Sequence, residues 1–308
     1  MKKVFIDGSA GTTGLRIKER LSQRRDLELI VLPEEVRKDV EARRQALNGS
    51  DVAFLCLPDA AAVEAVALVE NPDTVVIDTS TAHRTAADWT YGFPELAGGA
   101  QRAKIAAAKR IANPGCHASG FIALVEPLVR AGLIAADERL CAFSLTGYSG
   151  GGKKMIAEYE GERTGAGGDL YPGGRQYALG QSHKHLPEMA KICGLAHAPC
   201  FSPIVVPHLS GMEVTVQLFG KSLDAVRACY RDYYRGGVVR YAEDPSEGGF
   251  LSSAKLSGSD ALEVSAFGNG ERVILVARFD NLGKGASGAA IQNMNIVLGS
   301  DETAGLTL

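Results

Sequence analysis

Lys3-Val-Phe-Ile-Asp7 is followed directly by Gly8-Ser-Ala-Gly11-Thr-Thr-Gly14, and a helical pattern continues from there through Leu21. A short strand, a glycine loop and a helix form the opening of a dinucleotide-binding unit, because the loop presents backbone N–H groups and a helix N-terminus to a pyrophosphate. The spacing is G-x-x-G-x-x-G rather than the commoner G-x-G-x-x-G. The residues of this loop that we expect to bind the cofactor are Gly8, Gly11, Thr12, Thr13 and Gly14.

Strands and helices keep alternating downstream of this unit. Apolar runs typical of buried strands recur between stretches with helical patterns, and Asp59 is the expected N-cap of one helix. Such an alternation predicts a parallel sheet covered by helices on both faces. The predicted strands are Leu27–Leu32, Val52–Leu57 and Thr74–Thr79, and the predicted helices are Arg37–Leu47 and Asp59–Glu70.

The pattern changes after Cys116. A helix is predicted at Ala118–Ala131, and strands then follow one another with few helices between them, which predicts an α+β domain with a mixed or antiparallel sheet. Gly147–Gly180 is rich in glycine and is predicted to be a long functional loop with a short helix near Lys154–Glu160. The predicted strands are Cys141–Thr146, Ile204–His208, Glu213–Phe219, Leu262–Phe267 and Val273–Asp280, and the last predicted helix is Ala286–Leu298.

The two patterns predict an α/β protein of two domains, which a length of 308 residues accommodates. Residues 1–115 and 285–308 are assigned to a Rossmann-type nucleotide-binding domain with a parallel sheet, onto which the C-terminal helix packs back. Residues 116–284 are assigned to an α+β domain that carries the catalytic and substrate-binding groups.

Composition excludes several classes of protein. The net charge of −3 and the lack of a basic stripe argue against nucleic-acid binding. No apolar run approaches the roughly 20 residues that span a bilayer, and Met1-Lys-Lys leads straight into a strand rather than into a signal peptide. The six cysteines are scattered, without the C-x-x-C spacing of a zinc site, and are predicted to be reduced thiols. We expect a soluble, cytoplasmic protein.

The residues after the second predicted strand leave the cofactor open. Glu34 or Glu35 lies near the acidic position that binds a ribose 2′-OH, which favours NAD. Arg37 and Lys38 follow closely and can hold a 2′-phosphate, which favours NADP. Spacing alone does not decide between the two.

Asn113-Pro-Gly-Cys116 is the most informative motif. It leaves a predicted strand at Arg110–Ala112 and delivers Cys116 to the start of an apolar helix. A helix N-terminus stabilises negative charge and makes a thiolate available at neutral pH. The alternative is that Cys116 is a small buried apolar residue, as we expect for the other cysteines. We predict that Cys116 is a nucleophile.

A thiolate nucleophile needs a proton carrier, which is normally a histidine brought close by the fold. Gln181-Ser-His183-Lys-His185-Leu-Pro-Glu188 supplies two candidates and a carboxylate. In an extended segment His183 and His185 point to opposite sides, and no partner ligand pair is evident, so no metal site is predicted. His117 is expected to face away from this site and is left without a role. The histidines expected to be structural are His83, His197 and His208.

Two further segments are candidates for binding. Thr146-Gly-Tyr-Ser149-Gly-Gly-Gly-Lys153-Lys154 offers hydroxyls, backbone donors and positive charge suited to a phosphate, although a flexible loop with solvated lysines has the same composition. Asn281-Leu-Gly-Lys284 precedes a stretch of small residues and the final helix, which can dock near the cofactor or serve packing alone.

At this point the motifs resemble one family. Asn113-Pro-Gly-Cys116, the Ser149–Gly152 loop, the His183-Lys-His185-Leu-Pro-Glu188 run and Asn281-Leu-Gly-Lys284-Gly-Ala are similar to those of N-acetyl-γ-glutamyl-phosphate reductases, in their shorter form. Tyr91-Gly-Phe-Pro-Glu95-Leu resembles the segment of that family before the cysteine strand. The likeness extends over essentially the whole chain. Aspartate-semialdehyde and glyceraldehyde-3-phosphate dehydrogenases share the architecture without the His-x-His-x-Pro-Glu run.

The resemblance implies an NADPH-dependent reduction of a small acyl phosphate through a cysteine thioester, in arginine biosynthesis. It implies that Cys116 is the nucleophile and that one histidine, for which we favour His183, is the acid/base. Asn281 and Lys284 would lie near the nicotinamide, and residues 116–284 would also carry the contacts of a homodimer or homotetramer. The candidate substrate-binding residues are His185, Glu188, Ser149, Lys153 and Asn113.

Two departures from the family pattern bear on these roles. The longer form of the family commonly has Ala-Gly-Arg where this chain has Gly151-Gly-Lys153, so the role of an arginine would fall to Lys153, which binds phosphate without a bidentate fork. The glycine-rich loop also stretches the spacing between Cys116 and His183. The alternatives are an aspartate-semialdehyde dehydrogenase and a nucleotide-sensing protein without catalysis.

Overall fold

A computed structural model describes residues 1–161 and 170–308. The chain divides into two compact units. Unit 1 comprises Met1–Pro94, Gln101–Pro114 and Ala286–Leu306, and unit 2 comprises Glu95–Ala100, Gly115–Gly285 and Thr307–Leu308.

Unit 1 is built on a six-stranded sheet in the order β2-β1-β3-β4-β6-β5, in which every neighbouring pair is parallel. Its strands are β1 (Lys2–Asp7), β2 (Leu27–Ile30), β3 (Val52–Leu55), β4 (Val75–Asp78), β5 (Thr90–Tyr91) and β6 (Arg110–Ala112). Its helices are α1 (Thr12–Leu21), α2 (Val40–Asn48), α3 (Asp59–Ala67), α4 (Gln101–Ala107) and α9 (Gly288–Leu298).

Two apolar clusters cover the two faces of this sheet. Val4 and Ile6 of β1 pack in one cluster with residues of α1, α4 and α9, whereas Phe5 points to the other face and packs with residues of α2 and α3. Successive side chains of a strand alternate between faces, so a strand buried on both sides must be apolar throughout. The predicted parallel sheet with helices on both faces is confirmed.

Unit 2 contains an eight-stranded mixed sheet in the order β11-β12-β13-β14-β10-β7-β9-β8. Its β7–β9 and β12–β13 pairs are parallel and the other pairs are antiparallel. The strands are β7 (Cys141–Gly147), β8 (Arg175–Gln176), β9 (Cys200–Val206), β10 (Met212–Phe219), β11 (Arg235–Gly236), β12 (Val239–Tyr241), β13 (Leu262–Gly268) and β14 (Arg272–Phe279). The helices are α5 (Cys116–Arg130), α6 (Gly152–Glu160), α7 (Leu186–Cys193) and α8 (Leu223–Tyr233).

One face of the mixed sheet is packed and the other is partly open. Helices α5 and α8 contact β10, β13 and β14, and the residues of β10 alternate between buried and half-buried positions. This alternation is typical of a sheet with one face on the core. The prediction of a mixed sheet in the second half of the chain is confirmed.

Several local expectations differ from the structure. Helix α5 begins at Cys116 rather than at Ala118, and β9 begins at Cys200 rather than at Ile204. Asp59 is wrong as an N-cap: Pro58 holds that position, and the Asp59 carboxylate accepts a hydrogen bond from the Thr81 amide. Helices α4, α7 and α8 were not expected. Of the predicted Gly147–Gly180 loop, residues 162–169 lie outside the described residues, and α6 lies within the rest.

No helix in the described part of the chain combines the length and apolarity that crossing a membrane requires.

Candidate active site

Cys116 is the first residue of the 15-residue helix α5 and is partly exposed. Gly115 precedes it as the N-cap in an extended conformation, and no side chain caps this helix end. The first amides of a helix have no partner within the helix and carry the positive end of its dipole. This position therefore favours the thiolate form of a cysteine.

The other cysteines lie in surroundings that oppose ionisation or lie away from this helix. Burial raises the pKa of the Cys56 thiol to about 12 and that of Cys193 well above its ordinary value. Burial also raises the pKa of Cys141 and Cys229. Neutral thiols are poor nucleophiles. Cys116 thus differs from these four cysteines in lying at a helix N-terminus, which favours the nucleophilic thiolate form.

Glu188 holds the peptide immediately before the cysteine. It lies in the first turn of α7 and is buried, and its Oε1 accepts a hydrogen bond of 2.8 Å from the Gly115 amide. From the sequence, Glu188 was expected to contact the substrate. The geometry places its carboxylate on the backbone of Gly115, where it fixes the start of α5.

His183 and His185 lie side by side, with ring centroids 4.7 Å apart. The expectation that they point to opposite sides is wrong, because the segment is turned rather than extended. His185 is the residue before α7, and the Leu186 amide bonds back to the His183 carbonyl. Such a turn brings both rings to one side.

A backbone contact sets the hydrogen-bonding roles of the His183 ring. Its Nδ1 accepts a hydrogen bond of 3.1 Å from the His185 amide. A neutral imidazole has one N–H and one acceptor nitrogen, so the neutral His183 ring carries its proton on Nε2. His183 is half-buried, whereas His185 is buried. His183 is thus the more accessible of the two rings.

His117 belongs to the same cluster of rings, although the sequence patterns gave no sign of it. Its ring centroid lies 5.3 Å from that of His183 and 5.6 Å from that of His185. The expectation that it faces away is wrong, because its ring turns toward the sheet and hydrogen-bonds Ser144 on β7. No local signal could have found this contact, because its second partner, Tyr177, is 60 residues away in sequence.

Asn281 ties together three segments of unit 2. Its Nδ2 donates to the Ser149 hydroxyl at 3.0 Å, and its Oδ1 accepts from the Gly211 amide at 3.0 Å. Ser149 is buried, and its amide donates to the Leu209 carbonyl. Lys153, by contrast, is exposed in the first turn of α6. In this predicted phosphate loop, a solvent-borne anion can therefore reach Lys153 and its exposed neighbour Lys154, but not the buried Ser149.

Two further predicted site residues, Lys284 and Asn113, are held by contacts within the protein. Lys284 is 1% exposed, and its Nζ lies 2.9 and 3.1 Å from the Glu95 carboxylate oxygens. In unit 1, Asn113 donates to the Ala286 carbonyl and accepts from Asn293.

Gly285 limits the space around the nucleophile. A Cβ atom at this position would lie 3.0 Å from the Cβ of Cys116. Contacts this short force the neighbour to shift by tenths of an ångström. Because small displacements of reacting groups reduce rates strongly, we expect Gly285→Ala to lower kcat by roughly tenfold.

The matched control for this prediction is Gly270→Ala. A Cβ there meets nothing within 4 Å, and its backbone is not left-handed. Steady-state kinetics of the two variants should separate a local effect on Cys116 from a general cost of replacing glycine. Equal kcat values for both variants would contradict the crowding argument.

A separate pocket in unit 1 fits a dinucleotide. Its volume is about 450 Å³, and the glycine loop between β1 and α1 forms one wall. Gly8 has a φ of +85°, and a Cβ there would lie 2.3 Å from the Cys56 carbonyl oxygen. A Cβ at Gly14 would lie 2.5 Å from the Gly8 oxygen. Gly11 is the N-cap of α1 without any side-chain cap, so the amides of Thr12 and Thr13 in the first turn remain for a phosphate.

The charges around this pocket favour an anionic ligand. Arg43 pairs with Asp7 at 2.8 Å, and burial raises the pKa of that carboxyl against the opposing effect of the guanidinium. Glu34 pairs with Arg37 at 3.0 Å and does not line the pocket, and neither does Glu35. Among the described residues that line it, Asp7 is the only acid and the basic ones are Lys18, Arg37, Lys38 and Arg43.

A search for metal-binding clusters gives none in residues 1–161 and 170–308: no three histidine, cysteine or acidic side chains converge as metal ligands.

Comparison with known proteins decides the family. Residues 3–106 match the family described as semialdehyde dehydrogenase, NAD binding domain, and residues 116–281 match semialdehyde dehydrogenase, dimerisation domain. The chain is 44% identical over 307 residues to the N-acetyl-gamma-glutamyl-phosphate reductase of Burkholderia ambifaria, which covers 96% of each chain. The chain belongs to the N-acetyl-γ-glutamyl-phosphate reductase family. Members of this reductase family are oxidoreductases, and a second relative, N-acetyl-gamma-glutamyl-phosphate reductase 2 of Nostoc sp., is 45% identical over 99% of both chains.

Solved structures show the same fold at low identity. The aspartate semialdehyde dehydrogenase II of Vibrio cholerae superposes with a TM-score of 0.73 at 18% identity, covering 97% of this chain and 98% of that one. The aspartate semialdehyde dehydrogenase of Candida albicans, solved with NADP, superposes with a TM-score of 0.68 at 16% identity, covering 96% and 99%. The reductase family thus shares its fold with the semialdehyde dehydrogenases.

Proposed function

We infer that this protein reduces N-acetyl-γ-glutamyl phosphate to N-acetylglutamate semialdehyde and phosphate with NADPH, a step of arginine biosynthesis. The observation that carries the inference is the placement of Cys116 at an uncapped helix N-terminus in a chain 44% identical to a reductase of that name. The cluster of His117, His183 and His185 supplies the polar groups that such chemistry needs.

The first step is acyl transfer to the cysteine. The Cys116 thiolate attacks the acyl carbon, the bond to the phosphate oxygen breaks, and a thioester forms while phosphate leaves. The dipole of α5 stabilises the thiolate, and Glu188 keeps the start of that helix in place through the Gly115 amide. A covalent route divides one difficult reduction into two easier steps.

The second step generates negative charge on the former carbonyl oxygen. When NADPH is bound, it supplies the hydride that reduces the thioester. The first-turn amides of α5 have no partner within the helix and are oriented to hold the resulting oxyanion on the carbon bound to Cys116. We assign His183 Nε2–H as the hydrogen-bond donor to this oxygen while it is negatively charged, because Nδ1 accepts from the His185 amide. Collapse of the oxyanion then breaks the bond between carbon and sulfur, which releases N-acetylglutamate semialdehyde and restores the Cys116 thiolate.

The remaining site residues have auxiliary roles in this proposal. Lys153 attracts the anionic substrate as a point charge, and His185 orients His183 through its backbone amide. Asn281 fixes the Ser149 loop rather than reaching out of it, and Lys284 is a buried partner of Glu95. Residues 1–115 and 285–308 would hold the nucleotide and residues 116–284 the substrate.

The test of this function is the reverse assay with N-acetylglutamate semialdehyde, phosphate and NADP. We expect turnover with this aldehyde and none with aspartate semialdehyde at the same concentration. Turnover of aspartate semialdehyde would assign the protein to the related dehydrogenases. Absence of turnover with either would favour a nucleotide-sensing role.

The basic lining of the unit 1 pocket predicts a preference for NADP. We expect Lys38→Glu to raise KM for NADPH about tenfold while leaving KM for NADH nearly unchanged, because only NADPH carries the 2′-phosphate that a lysine attracts. Lys104→Glu makes the same charge change on α4, on an exposed side chain that does not line the pocket. A parallel rise of KM for both nucleotides in Lys38→Glu would contradict the assignment of the phosphate site.

We propose that the protein is a homodimer or homotetramer that works in the cytoplasm, where its six free cysteines stay reduced.

The partly open face of the mixed sheet carries Phe143 and Ile274, which are 43% and 39% exposed. An apolar sheet face of this kind is suited to a second copy of the chain. Sedimentation should give two or four times 32.5 kDa, and Phe143→Glu should lower that mass; a monomeric parent chain would contradict the proposal.

A further inference from the structure

Two hydrogen bonds form a line from Ser144 on β7 through the His117 ring to the Tyr177 hydroxyl. The His117 Nδ1 lies 2.7 Å from the Ser144 hydroxyl, and its Nε2 lies 2.6 Å from the Tyr177 hydroxyl. Ser144 and His117 are buried, whereas Tyr177 is half-buried. The line starts in β7, passes through the second residue of α5, which follows Cys116 directly, and ends at the Tyr177 hydroxyl.

The His117 ring is neutral at physiological pH. Burial lowers its pKa well below the ordinary value, and electrostatic interactions with His183 and Lys184 lower it further. A neutral ring has one N–H and one acceptor nitrogen, so its two bonds must run in the same direction along the line. Either Ser144 donates to Nδ1 and Nε2–H donates to Tyr177, or both bonds are reversed.

The outer end of the line lies among the reacting groups. The Tyr177 ring centroid is 5.7 Å from that of His183. Burial, and secondarily the charge of the Cys116 thiolate, raise the pKa of Tyr177, so this hydroxyl keeps its proton at neutral pH. When Ser144 donates to His117 and His117 donates to Tyr177, the Tyr177 oxygen is an acceptor in this line and its own O–H is free to point elsewhere. The negative charge of the Cys116 thiolate then attracts this O–H.

We propose that His117 is a positioning residue: its Nδ1 accepts a hydrogen bond from the Ser144 hydroxyl, its Nε2–H donates to the Tyr177 oxygen, and the Tyr177 hydroxyl is thereby directed at the Cys116 thiolate. The proposal deepens the function inferred above, because it adds Tyr177 as a donor to the nucleophile. No proton is transferred along the line: each group keeps its own hydrogen and only orients the next. In this proposal the nucleophile Cys116 and the positioning residue His117 are consecutive residues of α5.

The first test is a double-mutant cycle on the reductase reaction. We expect His117→Phe and Tyr177→Phe each to lower kcat about 10- to 100-fold, the factor of one hydrogen bond to a charged group, with little change in KM. The double variant should be no slower than the slower single variant, because the two residues act as one unit. Effects that multiply in the double variant would overturn the proposal.

A conservative variant and a matched control complete the cycle. His117→Gln keeps an amide N–H that can donate to Tyr177, and it should recover most of the activity lost in His117→Phe. Tyr241→Phe removes the same atom from β12, which is five strands from β9 in the sheet, and should leave kcat unchanged. Equal losses in His117→Gln and His117→Phe, with both proteins folded, would assign the ring a packing role and overturn the proposal.

The second test does not depend on the identity of the substrate. Alkylation of each cysteine by iodoacetamide at pH 7 can be followed by mass spectrometry of its peptide. We expect the Cys116 rate to fall several-fold in both His117→Phe and Tyr177→Phe, because the thiolate loses a donor. Exposed Cys141 serves as the internal control and should react at an unchanged rate. An unchanged Cys116 rate would overturn this proposal even if the reductase activity were established, and a slowed rate would support it even if the natural substrate were another acyl phosphate.

Discussion

Replacing Cys116 with serine is expected to lower kcat of the reductase reaction by about 10⁴-fold or more, the scale seen when a covalent nucleophile is removed. A serine hydroxyl at the start of α5 has the same position but stays protonated at neutral pH, so the helix dipole has no anion to stabilise. No acyl-enzyme should then accumulate. The measurement is the steady-state rate together with mass spectrometry of the protein mixed with acyl phosphate.

The control for this variant is Cys141→Ser. Cys141 is exposed at the start of β7, and its replacement should leave kcat within twofold of the parent. Cys116→Ser should still bind NADPH, because the nucleotide pocket lies in unit 1 and Cys116 belongs to unit 2. If Cys116→Ser retained more than a few per cent of the activity, covalent catalysis by this residue would have to be abandoned.

His183→Ala is expected to have the second largest effect, a loss of about 10²- to 10⁴-fold in kcat, which is the usual contribution of a positioned proton donor. The reason is the orientation of the ring. With Nδ1 bound to the His185 amide, Nε2 is the atom that donates to oxygen atoms gaining charge. Residual activity should remain, because Cys116 and the amides of α5 are unaffected.

Two matched variants sharpen this prediction. His183→Gln places an amide donor near the position of Nε2 and should be several times faster than His183→Ala. His197→Asn changes an exposed histidine and should leave kcat unchanged. If His185→Ala proved slower than His183→Ala, the roles of the two rings would have to be exchanged.

Local sequence predicted most of the elements of unit 1, because these are decided by near neighbours, but it missed β5 and α4. The run Lys3–Asp7 gave β1 within a residue, since strand periodicity is a property of a few adjacent residues. The start of α1 was placed after Gly14, whereas the helix begins at Thr12, inside the glycine loop. Errors occurred at helix ends. Asp59 resembles an N-cap, but its carboxylate binds Thr81, which follows it by 22 residues.

The arrangement of the candidate site required the fold. Gly115 and Glu188 are 73 residues apart in sequence, and His117 and Tyr177 are 60 apart. Nothing in the residue types alone pairs them. The motifs indicated Cys116 and His183 as chemically interesting, yet the orientation of the His183 ring depends on one backbone contact at the entry to α7. Sequence patterns thus nominated candidate groups, whereas their orientation could be described only from the fold.

Unit 1 is built from segments near both ends of the chain, and this affects how it can fold during translation. Ala290, Ile291 and Met294 of α9 lie in the same apolar cluster as Val4 and Ile6 of β1, so this cluster joins the two most distant parts of the chain. In a nascent polypeptide still on the ribosome, α1 and α4 can cover part of this side of the parallel sheet, but the part that packs on α9 stays uncovered until residues 286–306 have emerged. The intervening residues of unit 2 can collapse first, and the unfinished sheet is the part of the newborn chain that a chaperone would have to shield.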